Sequence, residues 1–482
     1  MNMDRRGFLR GTAWMGAAAA LAGCQATRLG FGAGGAMQDF AVKPMRRVRV
    51  GFIGIGGRGT GAVHRGSMIP GVEVVALCDK RPERVELNLA WLRDRKYPGV
   101  DRIRTYVGDE AYKDLCDFGD CDVIYCATPW ALHQPVALRG LLGGKIALVE
   151  VTSALTEDEC WELVEASEKF RIPCMQLENC VYGEIELLEL NLARLGMFGE
   201  IVHAEGAYIH DLREVIPSTG KFNSEALWRY GENMKHKGNR YPTHGLVPLC
   251  QTLGINRGDR FDYLVSLESG PKNANYERFK REFLPDDDPR KKDPPAEMGD
   301  MNTTLIKTVN GKSILVQHDV SSPRPYDRKA FVSGTKGAMG DYPFRCTFEE
   351  KCLDRKTHSW FSEQQANEIR AKYMHPMWRD VSAMAKKVGG HGGMDFIMDL
   401  RWAYCLQNGL PLDMDVYDLA ATSCLCELTE TSVRNGSKPI SVPDFTRGNW
   451  RNVKPWGVVN VDLRKLGLGE GGVKRDDAQL NV

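Results

Sequence analysis

Residues 48–61 read VRVGFIGIGGRGTG, and within them Gly54, Gly56, Gly57, Arg58 and Gly59 carry the spacing G-x-G-x-x-G. An apolar run precedes this turn, a helix-compatible run follows it, and Asp79 closes the next apolar run, 20 residues after Gly59. Glycines in such a turn let backbone N–H groups approach a pyrophosphate at a helix N-terminus. A carboxylate at the end of the second strand accepts hydrogen bonds from ribose hydroxyls and repels a 2′-phosphate. The pattern therefore favours NAD, while Lys80 and Arg81 leave some room for NADP. A glycine turn in an α/β domain without a nucleotide is the weaker alternative. Further on, Thr128-Pro129-Trp130-Ala131-Leu132-His133 follows another strand-like run. Pro129 ends that strand, and loops at strand carboxyl ends border the ligand crevice of an open parallel sheet. Trp130 and His133 are thus placed to line the nicotinamide side, although either residue type alone is more often packing. Tyr241-Pro242-Thr243-His244-Gly245 sets a phenol and an imidazole in a segment that Pro and Gly mark as a loop, where chemistry concentrates.

These residues need rigid elements behind them. From Val48 the runs VRVGFI, VEVVALCD, CDVIYCATP, KIALVE and IPCMQLE read as strands, with helical patterns between them. One helix opens on Pro82; another spans 157–170, with Thr156 and Glu159 spaced as a capping box. Strand–helix alternation predicts a Rossmann-type, doubly wound parallel sheet over residues 46–180. After about residue 197 strand follows strand, so residues 181–482 are expected to form a second, α+β domain with a mostly antiparallel sheet. Helical patterns return from about 377 to 434 and are expected to close the chain, packing back on the first domain. Residues 284–300, LPDDDPRKKDPPAEMGD, read as a polar loop.

At 482 residues two domains are the expectation, and a net charge of +1 gives no reason to look for nucleic acid as a partner. The first 24 residues read as an export signal. Arg5 and Arg6 form a twin-arginine motif, residues 11–23 are apolar but too short to span a bilayer, and Leu21-Ala22-Gly23-Cys24 resembles a lipobox. The expectation is a periplasmic or membrane-anchored lipoprotein lipidated at Cys24, with residues 25–45 as a flexible tether. Fourteen cysteines do not read as a disulfide framework: Cys24 leaves an odd number, and Cys78 and Cys126 lie inside apolar runs. Twin-arginine export carries chains already folded in a reducing compartment, which agrees with free thiols. No metal site is expected, because Cys424 and Cys426 lack a second ligand pair at useful spacing.

The segments VGFIGIGGRGTG, CATPWALH, VEVTSA, LENCVYG, AYIHDLR, NRYPTHGLVP, SSPRPYDR and GGHGGMDF together resemble the glucose–fructose oxidoreductase/inositol dehydrogenase superfamily. Within it they resemble the NAD-dependent glycosidase branch, glycoside hydrolase family 109, typified by α-N-acetylgalactosaminidases. The resemblance implies that Gly57, Arg58, Asp79, Trp130, His133, Glu150, Val151, Asn179, Tyr241 and His244 contact NAD. It implies that Tyr208, Arg229, Tyr241 and Tyr326 contact the sugar, with His391 near the same crevice. These types suit a sugar, because phenols and a guanidinium offer rigid hydrogen bonds to hydroxyls and an acetamido carbonyl. Tyr208 and His210 share a strand face with Ala204 and Gly206, small residues expected to leave room for a ligand.

The implied reaction takes a hydride from C3 of the sugar, eliminates across C2 and C1, adds water at C1 and returns the hydride, with His244 and Tyr241 moving protons. Many dehydrogenases of the superfamily carry Glu-Lys-Pro where this chain has Glu150-Val151-Thr152, so the Lys of an ordinary sugar-alcohol dehydrogenase is missing. A cycle that returns its hydride suits a protein outside the cytoplasm, where no NAD pool supports exchange. A periplasmic sugar oxidoreductase and a non-catalytic glycan-binding lipoprotein are the alternatives. A homodimer through an exposed face of the second sheet is a further expectation.

Overall fold

The computed structural model describes residues 35–213, 223–270, 273–349 and 359–468. The signal expected at 1–24 and the first part of the tether lie outside the described residues. The first sheet has six parallel strands: β1 (Val48–Ile53), β2 (Val72–Asp79), β3 (Arg104–Val107), β4 (Val123–Cys126), β5 (Ile146–Val149) and β6 (Cys174–Gln176). Their order is β3-β2-β1-β4-β5-β6. The connecting helices are α1 (Gly57–Met68), α2 (Pro82–Asp94), α3 (Tyr112–Asp117), α4 (His133–Leu142) and α5 (Glu157–Phe170).

Strands β4 and β5 are buried at every position, the continuous apolar pattern of a sheet covered on both faces. Helix α5 opens on the expected capping box: Thr156 accepts from the Glu159 N–H while the Glu159 side chain reaches back. Strand β3 had no counterpart in the sequence reading. It is a largely exposed edge strand, RTYV, with no apolar run to mark it.

The second sheet holds eight strands, among them β7 (Ile201–Ile209), β8 (Phe261–Glu268), β9 (Asn302–Thr308) and β10 (Ser313–Asp319). The others are β11 (Phe331–Gly334), β12 (Gly337–Gly340), β13 (Arg345–Phe348) and β14 (Ile440–Ser441). The order is β13-β12-β11-β7-β10-β9-β8-β14, antiparallel throughout except where β7 meets β10. Helices α6 (Glu184–Arg194), α7 (Asn223–Lys235), α8 (Thr243–Leu253) and α9 (Ala274–Phe283) precede or interrupt it. Then come α10 (Glu363–Tyr373), α11 (Pro376–Val388), α12 (Met394–Asn408), α13 (Val416–Ser423) and α14 (Leu425–Arg434).

Helix α8 lies on β7, and two glycines permit it. A Cβ on Gly206 would collide with the Gly245 carbonyl oxygen, and one on Gly245 would collide with the Ala207 amide nitrogen. The small residues of β7 thus admit a helix backbone, not the ligand that the sequence suggested. Helix α13 packs on α5 and β6, and α12 packs on α1, so the C-terminal helices cover the first sheet.

The end of the expected tether is also corrected. Residues 35–45 are docked: Met37 and Val42 are buried, the Met37 N–H donates to the Tyr417 hydroxyl at 3.1 Å, and Gln38 donates to the Asn256 carbonyl at 2.7 Å. Met37 supplies apolar surface inside a Gly- and Ala-rich run, and that is enough to seat it. Every cysteine among the described residues is buried.

Candidate active site

The strand order reverses between β1 and β4, and residues from five strand ends meet at that edge. Gly54 follows β1, Asp79 ends β2, Thr128–Trp130 follow β4, Glu150 follows β5, and Glu178 and Asn179 follow β6. Gly54 has φ +78°, and a Cβ there would lie 2.7 Å from the Thr128 nitrogen. A Cβ on Gly59 would strike the Gly54 carbonyl. Only glycine fits at these two positions, and the turn they form lies at the amino end of α1, which has no side-chain cap. Gly56 is the N-cap and Gly57 the first helical residue. Asp79 is buried beside this turn and accepts the Arg81 N–H at 3.0 Å. Turn, uncapped helix end and carboxylate together fit a dinucleotide's pyrophosphate and ribose.

The loops around this cradle are braced. Between the Thr128 and Thr152 carbonyls, at 2.6 and 2.7 Å, sits the buried His133 ring. Burial pushes its pKa down to about 4 against the two carbonyls, which favour the charged ring; the neutral ring donates to one of them, and its position between both sets the β4 loop against the β5 loop. Its side chain acts on the loops that face the cofactor. The Trp130 indole donates to the Val151 carbonyl at 3.2 Å and adds a second tie. Glu150 accepts from Arg58 at 2.7 Å and from the Tyr125 hydroxyl at 3.2 Å.

On the sugar side, the expected residues form one aromatic wall. Ring centroids are 5.4 Å apart for Trp130 and Tyr241, 4.8 Å for Tyr241 and Tyr208, and 4.7 Å for Tyr241 and His244. Tyr326 continues the wall, 4.9 Å from His210, and the Tyr208 hydroxyl bonds His210 Nδ1 at 3.0 Å. Burial, helped by the nearby Arg229 guanidinium, pushes the His210 pKa down to about 4. From α7, the Arg229 guanidinium lies 4.9 Å from the Trp130 ring centroid and 5.1 Å from that of Tyr241.

The residue that sequence reasoning missed is Glu178. It is fully buried, and His244 Nδ1 sits 2.8 Å from its carboxylate, which also accepts the Cys180 N–H at 3.0 Å. Burial raises its pKa, but His244 and the hydrogen bonds outweigh that and hold it below the usual 4.5. An ionised Glu178 fixes the proton on Nδ1 and leaves Nε2 as the basic nitrogen. Glu178 stands in the quoted run LENCVYG, but its partner is 66 residues away and no spacing rule joins them. Donor atoms of Glu178, Cys180 and His244 lie within 4.8 Å of one another. Burial pushes the Cys180 thiol well above its ordinary range, so it keeps its proton and the trio is hydrogen-bonding in character.

His391 lies elsewhere on the rim. It is 61% exposed, 2.9 Å from Asp395 and 3.5 Å from Arg58, on the side of the glycine turn. Asn179 also joins Asp395, donating at 2.6 Å.

Residues 182–452 match the glycosyl hydrolase 109 C-terminal domain. A glycosyl hydrolase family 109 protein of Bacteroides thetaiotaomicron is 46% identical over 425 residues, covering 85% of this chain and 87% of its own. Another from Shewanella pealeana is 42% identical over 472 residues, covering 96% of this chain and 100% of its own. The chain belongs to glycosyl hydrolase family 109. Enzyme class and cofactor follow with membership of that branch: it is an NAD-dependent glycosidase. Among solved structures, levoglucosan dehydrogenase in complex with NADH and levoglucosan superposes with a TM-score of 0.61 at 17% identity, over 83% of this chain and 100% of that one. An NAD-binding oxidoreductase from Klebsiella pneumoniae gives 0.62 at 16%, with the same coverage. These two share the fold.

Proposed function

We propose that this family 109 member cleaves an N-acetylgalactosaminide or related hexoside without net redox change, by elimination and water addition at C1. The observation that carries the reading is the Glu178–His244 pair, set against Tyr241 at the end of a wall that begins at the cofactor-side Trp130. Held at the turn of Gly54 and Gly59 and by Asp79, NAD would supply a reversible hydride acceptor for C3 of the sugar, and a C3 ketone would acidify the C2 hydrogen. Arg229, Tyr208 and Tyr326 hold the sugar's hydroxyls and acetamido group. His244 Nε2 removes the C2 proton, and the Glu178 carboxylate stabilises the imidazolium that forms. The electron pair left at C2 expels the C1 substituent. Water then adds at C1, its spare proton neutralising the expelled alkoxide, and His244, its Nε2 proton exchanged with solvent in the meantime, protonates C2. Tyr241 relays the proton of the C3 hydroxyl. The carboxylate pair of ordinary glycosidases has no part in this scheme.

We further propose twin-arginine export, a lipid anchor at Cys24 and a homodimer. Support for pairing is a row of aliphatic side chains, Val265, Leu305 and Leu315, directly opposite one another across β8, β9 and β10 on the outer face.

The test of the reaction is p-nitrophenyl α- and β-N-acetylgalactosaminide hydrolysis in ²H₂O without added NAD. Nitrophenol release with deuterium at C2 of the product is expected. Hydrolysis without C2 exchange refutes elimination. Silence on glycosides, with NADH appearing on a free sugar, replaces the reading with a sugar oxidoreductase.

A further inference from the structure

Helix α1 leads out of the glycine turn and carries Arg58 and Arg65, seven residues and two turns apart on one side. Helix α12 carries Asp395 and Asp399, one turn apart, and packs on α1. The two sides interlock as a ladder. Arg58 donates to Asp395 at 2.6 Å, Arg65 donates to Asp399 at 2.6 Å, and Arg65 lies 3.7 Å from Asp395. Arg65, Asp395 and Asp399 are buried. Side ties fix the rungs: Asn179 donates to Asp395 at 2.6 Å, and the Trp402 indole donates to Asp399 at 3.1 Å. Arg58 also donates to Glu150 at 2.7 Å, so the turn is held to the end of β5 as well.

Buried ion pairs are poor stabilisers, because desolvation offsets most of their attraction. What they do well is impose one arrangement, and these impose it on the segment whose N–H groups face the pyrophosphate position. A redox-neutral cycle has no step at which the cofactor must leave. We propose that Asp395 and Asp399 are cofactor-retention residues: acting through Arg58 and Arg65, they tie the glycine turn to α12 and set how slowly NAD escapes. They position the turn and take no part in the chemistry. The inference rests on the reading that NAD stays bound throughout the cycle.

The test measures NAD per chain after prolonged dialysis and the rate of NADH release by fluorescence, for wild type, Asp395→Asn and Asp399→Asn. Wild-type protein is expected to keep its dinucleotide. Asp395→Asn is expected to release NADH about tenfold faster, the loss of one charge-assisted hydrogen bond. Saturating NAD should restore its glycosidase rate, while the emptied protein should melt lower than the emptied wild type, because a buried arginine loses one of its partners. Asp399→Asn, which removes only the inner rung, should show the same change to a smaller degree and carries the test alone if Asp395→Asn does not fold. Folded variants that release NADH at the wild-type rate overturn the latch while leaving the glycosidase reading in place. Activity that added NAD cannot restore, with release unchanged, overturns it too. Wild-type protein that binds no NAD overturns the cofactor reading, and the latch with it.

Discussion

Glu178 and Glu189 are both buried carboxylic acids, and their surroundings push them in opposite directions. Glu178 has His244 and two hydrogen-bonded elements around it and is held below 4.5. Glu189, on α6 beside Thr252, has no partner charge, and burial pushes its pKa up to about 8. The signs follow. Glu178 contributes stability that is present above pH 4.5 and lost as pH falls through its folded value. Glu189 contributes stability that is present below pH 4.5 and lost as pH rises towards 8, on the order of 4 kcal/mol across that window. Glu189→Gln should therefore raise the melting temperature at pH 8 by several degrees and leave it unchanged at pH 5. Equal shifts at both pH values, measured by differential scanning fluorimetry, would remove the argument. At this scale the sequence was informative wherever a residue's neighbours in the chain define its setting, as Pro242 and Gly245 do for His244. It was silent on Glu178 and Asp395, whose roles come from partners more than sixty residues away.

Helix α8 is the element that brings His244 to Glu178, and its approach depends on Gly206 and Gly245. A methyl group on Gly206 meets a backbone carbonyl that no rotamer can move. Gly206→Ala should destabilise the fold by about 2 kcal/mol and lower activity far more than the lost stability explains, because the amino end of α8 carries the base. Urea unfolding and glycoside hydrolysis on the same preparation check this; a variant with wild-type turnover would show that α8 can shift freely. Strong apolar runs made β1, β2, β4, β5 and β6 legible. Edge strand β3 was not, since it is largely exposed and its four residues hold no apolar run. The small residues of β7 were read as room for a ligand, and the structure fills that room with the backbone of α8.

For the molecule as a whole, the expected outcome is partition with membranes that depends on Cys24. Cys24→Ala should move the exported protein from the membrane fraction to the soluble one with its glycosidase activity intact. Membrane association unchanged in that variant would dismiss the anchor. Leu305→Lys in the soluble form should halve the mass seen in sedimentation, and a wild type already at monomer mass would dismiss the pair. Leader and lipobox are proposed from linear patterns of residues alone. The docking of residues 35–45 was not legible, because it depends on Tyr417 and Asn256, which lie far along the chain.

That docked segment fixes a direction. Arg171, whose guanidinium holds the Ala36 carbonyl, stands just before β6, and Met45 pairs its N–H with the Leu406 carbonyl just before β1. The segment thus runs along the amino edge of the first sheet, and the dinucleotide cradle opens at the other edge, about 20 Å away along β1. A tether leaving from this side would not pass across the mouth of the cradle.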